Sequence, residues 1–131
     1  MEHRKPIRSF EDLFVWQLAI ELVKQIYLIT SKGSLKTDFA LKDQLRRASI
    51  SIPTNIAEGF ERRSRKEYLQ FLNIAKGSSG ELRSLLRVAF DIDYLRSVEY
   101  EYLREEVSKV SACLFNQIKS LRASPERPNR T

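Results

Sequence analysis

One cysteine, one histidine, four glycines and four prolines in 131 residues exclude several kinds of protein at once. A single Cys113 cannot form an internal disulfide. Its place in an apolar stripe marks a buried small hydrophobe, and a lone thiol fits a reducing cytoplasm. One histidine, His3, together with one cysteine leaves no zinc cluster and no Cys/His or Ser/His dyad. The di-iron bundles require Glu-x-x-His on two helices, and that motif is absent. So little glycine and proline supplies too few turns for a many-stranded β fold. No apolar run reaches the roughly 20 residues that cross a bilayer. The N-terminal "MEHRKPIRSFEDL" has no apolar core behind its basic residues, so no secretory signal is expected.

What is present suits a soluble globular chain: 42% hydrophobic residues and 31% charged ones. Length and composition predict one domain over residues 1–123, with "SPERPNRT" (124–131) as a disordered polar tail. Lys and Arg number 23 against 17 Asp and Glu, a formal net charge of +6. That surplus favours anionic partners such as nucleic acid, and the placement of the charges decides whether it matters.

Four segments carry a helical period. In the first, Ser9 is expected to cap, and Val15, Ala19, Leu22, Ile26 and Ile29 recur at spacings of four and three. Beside them runs a second stripe of Trp16, Ile20, Val23, Tyr27 and Thr30, so this helix is apolar over an unusually wide arc. Gly33 is placed to end it in the left-handed conformation. The second segment starts near Thr37-Asp38 and aligns Leu41, Leu45, Ala48, Ile52 and Ile56. Ser64 and Glu67 form the S-x-x-E signature that opens the third. Its seam is Tyr68, Leu72, Ala75, Ser79, Leu82, Leu86 and Ala89, a seven-residue repeat like that of left-handed bundles. The small residues at its middle, Ala75 and Gly77 to Gly80, predict close approach of another backbone; a phosphate-binding loop has a different spacing and follows a strand. The fourth segment opens at Ser97 and aligns Leu103, Val107, Val110, Leu114, Ile118 and Leu121.

Pro53 lies inside the second segment. Ile52 and Ile56 keep the phase of Leu41, Leu45 and Ala48 across it, which a fresh helix has no reason to do. The sequence therefore predicts one helix kinked at Pro53 and stopped by Gly59. The proline ring withdraws the donor that the Ser49 carbonyl would use. Burial of Ile52 and Ile56, or a hydroxyl such as that of Ser51, is expected to offset the cost of about 3 kcal/mol. A bend that wraps the helix round its neighbours is the plain explanation; a ligand at the freed carbonyl is the other. Short connections then make consecutive helices antiparallel. The expected fold is all-α, an up-down-up-down four-helix bundle.

No catalytic, metal or cofactor residues are expected; Glu58, near the kink, could be a buried acid, but it reads rather as a surface acid or an arginine partner. The cations cluster instead: Arg46 and Arg47 in the second segment, Arg62, Arg63, Arg65 and Lys66 at the turn into the third, Arg83 and Arg87 further along. The first turn of a helix disfavours cations, so folding has no apparent use for Arg65 and Lys66 there. Phosphates would use them. These eight residues are the candidate nucleic-acid contacts; Tyr94, Tyr100 or Tyr102 could stack bases where exposed, but most of them are expected in the core or an interface. The bland alternative is a solvated face part-neutralised by Glu58, Glu61 and Glu67.

The runs "FEDLFVWQLAIELVKQIYLIT" and "LKDQLRRASISIPTNIAEGFERRSRKEYLQFLNIAKGSSGEL" also resemble a family, from about Phe10 to Ala89. They are similar to the small four-helix-bundle proteins named for the intervening sequences of 23S ribosomal RNA genes. The resemblance implies a homopentameric barrel. It also extends to the accessory proteins of diversity-generating retroelements, which associate with a reverse transcriptase and nucleic acid through a basic surface. A ring would bury the apolar surplus of the first helix at Trp16, Ile20, Val23 and Tyr27, and use Gly77 and Ser78 for close approach. The expected activity is that of a non-catalytic, oligomeric nucleic-acid-binding scaffold; a protein–protein adaptor, for a reverse transcriptase or another acidic protein, is the alternative.

Overall fold

The computed structural model describes residues 6–124. His3 and all but the first residue of the C-terminal tail lie outside the described residues. Within them the chain is all-α. A 3-10 turn, Phe10–Asp12, precedes five helices: α1 Phe14–Thr30, α2 Gly33–Thr37, α3 Phe39–Phe60, α4 Arg65–Asp91 and α5 Ser97–Ala123. The four long helices pack as a bundle in which α3 lies against α1 and α4, and α5 against α4 and α1.

The seams are the core. Val15, Ala19, Leu22 and Ile26 face Leu45, Ala48, Ile52 and Ile56, with Tyr68 to Ala89 of α4 and Leu103 to Ile118 of α5 closing the bundle. Ile29, Leu41 and Leu121, at the ends of their seams, are only half-buried, where the bundle opens to solvent. Cys113 is half-buried, and that burial pushes its thiol pKa up, so the thiol stays protonated at neutral pH.

Several ends differ from the expectation. Ser9 makes no capping bond with its side chain; it precedes the 3-10 turn, and α1 begins only at Phe14. Gly33 has φ +61 as expected of a left-handed residue, but the chain then turns once more through α2 and buries Leu35. Asp38 caps α3 by accepting from the Leu41 N–H at 3.1 Å. Gly59 does not end α3, which runs on to Phe60. The Ser64 hydroxyl accepts from the Glu67 N–H at 3.2 Å, so the start of α4 is as read. At its end, Tyr94 N–H reaches Ala89 O and Asp93 N–H reaches Phe90 O, with Asp93 at φ +64. That is a Schellman motif whose left-handed position is filled by Asp93, a short polar residue that tolerates it.

Pro53 sits inside an uninterrupted α3. Ile52 and Ile56 on either side are fully buried. The Ser51 hydroxyl is used elsewhere: it meets Ser78 Oγ of α4 at 2.8 Å and accepts from Asn55 Nδ2 at 3.0 Å. Burial, rather than a hydroxyl, is what holds the proline turn in place.

The small residues of α4 behave differently from the expectation of close approach. Ser79 is buried and Ser78 bonds to α3, but a Cβ added at Gly77 or Gly80 would meet no atom within 4 Å. The reason is phase: Ala75, Ser79 and Leu82 point inward, which turns Gly77 and Gly80 outward. The close approach is at Gly59, where a Cβ would lie 2.8 Å from Phe71 Cβ.

Helix α5 is anchored at its start by Glu99. Its carboxylate accepts from the Arg96 N–H at 2.9 Å and pairs with Lys32 Nζ at 3.4 Å. The backbone bond to Arg96 is the main cause that holds this carboxyl below its usual pKa, against the opposing effect of burial. A depressed folded-state pKa stabilises the fold above the unfolded value of about 4.3, and the benefit fades as pH falls through the folded value. Glu99→Gln is therefore expected to cost about 1 kcal/mol at pH 7 and progressively less as pH falls below about 4. Thermal melts of both proteins across pH check this; a gap that stays constant to pH 3 contradicts it.

Candidate nucleic-acid interface

The eight candidate cations fall into two sets by what they touch. Four are committed within the chain. Arg46 lies 4.2 Å over the Tyr27 ring, donates from Nε to Thr30 Oγ1 at 2.9 Å and from Nη2 to Ser31 Oγ at 3.1 Å. Arg62 pairs with Glu58 at 3.0 Å and stacks over Phe71 at 4.8 Å. Arg65 donates to the carbonyls of Leu121, at 3.2 Å, and Ser124. Arg87 pairs with Asp91 at 2.9 Å, and the Tyr100 side chain, then Asp91, raise its pKa.

Arg65 corrects the argument that folding has no use for a cation at the start of α4. It unfavourably meets the dipole of its own helix, but its guanidinium satisfies carbonyls at the C-terminus of α5, where a cation is favoured. A contact across more than fifty residues of sequence has no local signal.

The other four, Arg47, Arg63, Lys66 and Arg83, are exposed and have no ion pair among the described residues. They do not form one patch. Arg63 and Lys66 occupy the α3–α4 turn. Arg83 lies about 25 Å further along α4 at 1.5 Å per residue. It lines a groove with Gly80, Ser84, Arg87 and Arg104, while Arg47 lines another with Glu81 on the α3 flank of α4. Of the candidate stacking residues, Tyr100 is buried and lies parallel to Phe90 at 4.5 Å, and Tyr94 donates to Asp38 at 3.0 Å. Tyr102 is exposed.

Three of the expected interface residues, Trp16, Ile20 and Val23, line one apolar groove between α1 and α3 of about 460 Å³, with Ile50, Pro53 and Ala57 opposite. Tyr27 instead lies under Arg46. Gly77 faces outward on α4, and Ser78 is bonded to Ser51.

A third set of cations was not among the candidates. Lys76 of α4 and Lys119 and Arg122 of α5 line a groove of about 630 Å³ with Asn73, Phe115, Ile118 and Ala123. The sequence does carry a signal for it. No Asp or Glu occurs between Tyr68 and Gly80, nor between Val107 and Ser124. Arginine clusters stand out to the eye, while missing carboxylates do not.

No group of three or more His, Cys, Asp or Glu able to hold a metal ion occurs among the described residues. Nor is any described helix long and apolar enough to cross a membrane.

The family described as "23S rRNA-intervening sequence protein" matches residues 11–116. The chain belongs to that family. A solved structure of a protein of unknown function from the S23 ribosomal protein family, from Bacteroides thetaiotaomicron VPI-5482, is similar in fold. Its TM-score is 0.75 at 24% identity, and the alignment covers 80% of this chain and 95% of that one. No match was found among curated proteins.

Proposed function

We propose that this member of the 23S rRNA-intervening sequence family is a non-catalytic, oligomeric scaffold that binds nucleic acid through its basic surface, in the cytoplasm. The observation that carries the reading is the set of exposed cations with no acid partner among the described residues: Arg47, Arg63, Lys66 and Arg83. An exposed arginine whose charge is already met by Glu58 or Asp91 has less to give a phosphate.

The scaffold is an antiparallel up-down-up-down bundle. Arg65 at the start of α4 holding the end of α5, and Lys32 after α1 holding Glu99 at the start of α5, both support that order. A bend at Pro53 brings α3 round the core. Five copies closing a ring would cover the groove of Trp16, Ile20 and Val23 and repeat the basic surface fivefold, which adds valency without new contacts.

The test is a salt series with a labelled structured RNA and its DNA counterpart. Affinity should fall linearly on a log–log plot, and charge reversal at Arg63 and Lys66 should flatten the slope by roughly 0.7 to 0.9 per lost phosphate contact, with the fold intact. A slope near zero for the wild type rejects the reading. Phe14, Leu28 and Phe39, each about two-thirds exposed, favour a second one, an adaptor for a protein such as a reverse transcriptase. It gains if a protein partner survives nuclease treatment and neither nucleic acid binds.

A further inference from the structure

We infer that the groove between α4 and α5 is a binding site for single-stranded nucleic acid, with Phe115 as its stacking platform and Lys76, Lys119 and Arg122 as its phosphate contacts. This rests on the nucleic-acid reading above and adds a location and a strand form to it.

The charge is the first argument. Lys76, Lys119 and Arg122 have no ion pair among the described residues, in contrast to Lys109, which is bound to Glu106 at 2.9 Å nearly two turns beyond the groove. Both walls come from the two stretches without carboxylates, Tyr68 to Gly80 and Val107 to Ser124. Nothing described in the groove wall competes with a phosphate for these three cations. They also continue the basic end of the molecule: Arg65 ties the start of α4 to the end of α5, so Lys66 lies at the same end.

The aromatic side chain is the second. Phe115 lines the groove, yet 54% of its surface is exposed. It lies four and seven residues before Lys119 and Arg122, on the same helical face. A base stacked on Phe115 would leave its neighbouring phosphates within reach of the two cations, and Asn73, whose Nδ2 donates to Leu69 O at 3.0 Å, keeps its Oδ1 for a base edge. Aromatic platforms flanked by cations are how single strands are held. A duplex keeps its base faces covered and has nothing to give Phe115. An acidic amphipathic helix would need an apolar stripe several turns long. Here the exposed apolar surface is essentially Phe115, because Ile118 is 4% exposed and already part of the core. The volume of about 630 Å³ suits a compact unit such as a nucleotide.

The experiment is fluorescence anisotropy on the full chain with labelled oligouridylate, labelled oligothymidylate and a duplex of equal length. Phe115→Ala is expected to weaken single-strand binding by about 5- to 100-fold, leave duplex binding within about twofold, and be rescued by Phe115→Trp. Lys119→Glu with Arg122→Glu should reduce the salt slope for single strands by about 1.4, at 0.7 per phosphate. The two single strands report whether ribose matters. Wild-type affinity of Phe115→Ala for single strands, with loss on reversing Arg63 and Lys66, overturns the groove and leaves the broader reading standing. A Phe115→Ala protein that sediments as a smaller species makes this face a contact between copies and overturns it too. No binding of any probe by the wild type removes both proposals.

Discussion

Replacing Gly59 with valine is expected to lower the melting temperature by about 10 °C or more, while Gly80→Ala raises it by a few degrees. The difference lies in what each new Cβ meets. At Gly59 it would stand 2.8 Å from Phe71 Cβ, 2.9 Å from Tyr68 Cδ1 and 3.2 Å from the Tyr68 carbonyl. Two of those atoms belong to or sit next to the α4 backbone, so no rotamer change relieves the clash. The helices must separate just before the Glu61–Ser64 turn that joins them. Overpacking of this kind costs about 1 to 3 kcal/mol for one methyl and more for a β-branched side chain. Removing a glycine from a helix returns at most about 1 kcal/mol. Gly59→Ala is thus a net loss and Gly59→Val a larger one. At Gly80 the same added methyl meets nothing within 4 Å, and only the helix-propensity gain remains. Thermal or urea melts of the three variants give the answer. A Gly59→Ala protein as stable as the wild type would contradict the close contact. Gly77→Ala is a useful fourth: its site is open within the chain, so a loss of stability there would place another copy against it, as the proposed ring requires.

The glycines also mark where sequence reasoning stops. Periodicity located the core because burial repeats with the helix: Leu45, Ala48, Ile52 and Ile56, or Leu103, Val107, Val110 and Leu114, are buried where the spacing puts them. The same phase turns Gly77 and Gly80 away from the core, and weighing it would have removed the expectation of close packing inside the bundle. Gly59 was readable only as a helix stop, since its contacts are with Tyr68 and Phe71, nine and twelve residues on in a different helix. Helix α2 was missed for another reason: Gly33–Thr37 is barely more than one turn, too short to display a period, and its buried Leu35 is a single residue. The charged surface was readable as a surplus but not as a site. Whether an arginine is free depends on which side chains fold back across helices, and Arg46 and Arg65 are used by α1 and α5 in ways no local pattern encodes. The family match is not confined to one helix pair: it spans residues 11–116, from the 3-10 turn into α5.

Arg46→Ala is expected to cost about 2 to 4 kcal/mol, whereas Arg47→Ala next to it stays within about 0.5 kcal/mol. Arg46 closes the end of α1. Thr30, fully buried, donates to Ile26 O at 2.7 Å, and Ser31 donates to Tyr27 O at 2.6 Å. Each hydroxyl then accepts from the Arg46 guanidinium, which completes their hydrogen bonding and sets a cation at the negative end of the helix dipole. The ring of Tyr27 covers the guanidinium face. Hydrogen bonds from a charged donor contribute about 1.5 to 3 kcal/mol, the stacking adds about 0.5 to 1, and the apolar stem of the side chain adds packing. Arg46→Lys keeps the charge but offers no planar fork, so it should recover less than half of the loss. This separates two roles for a residue that sequence alone places among the phosphate contacts. If Arg46 serves the fold, Arg46→Ala lowers the melting temperature by about 6 °C or more. Where it is still folded, its salt slope for nucleic acid matches that of the wild type. If it serves phosphate, stability is unchanged and the slope falls by about one contact. A double-mutant cycle with Thr30→Val adds the decisive number, because two groups bonded at 2.9 Å should couple by more than about 0.5 kcal/mol, and a coupling near zero would mean the contact contributes nothing.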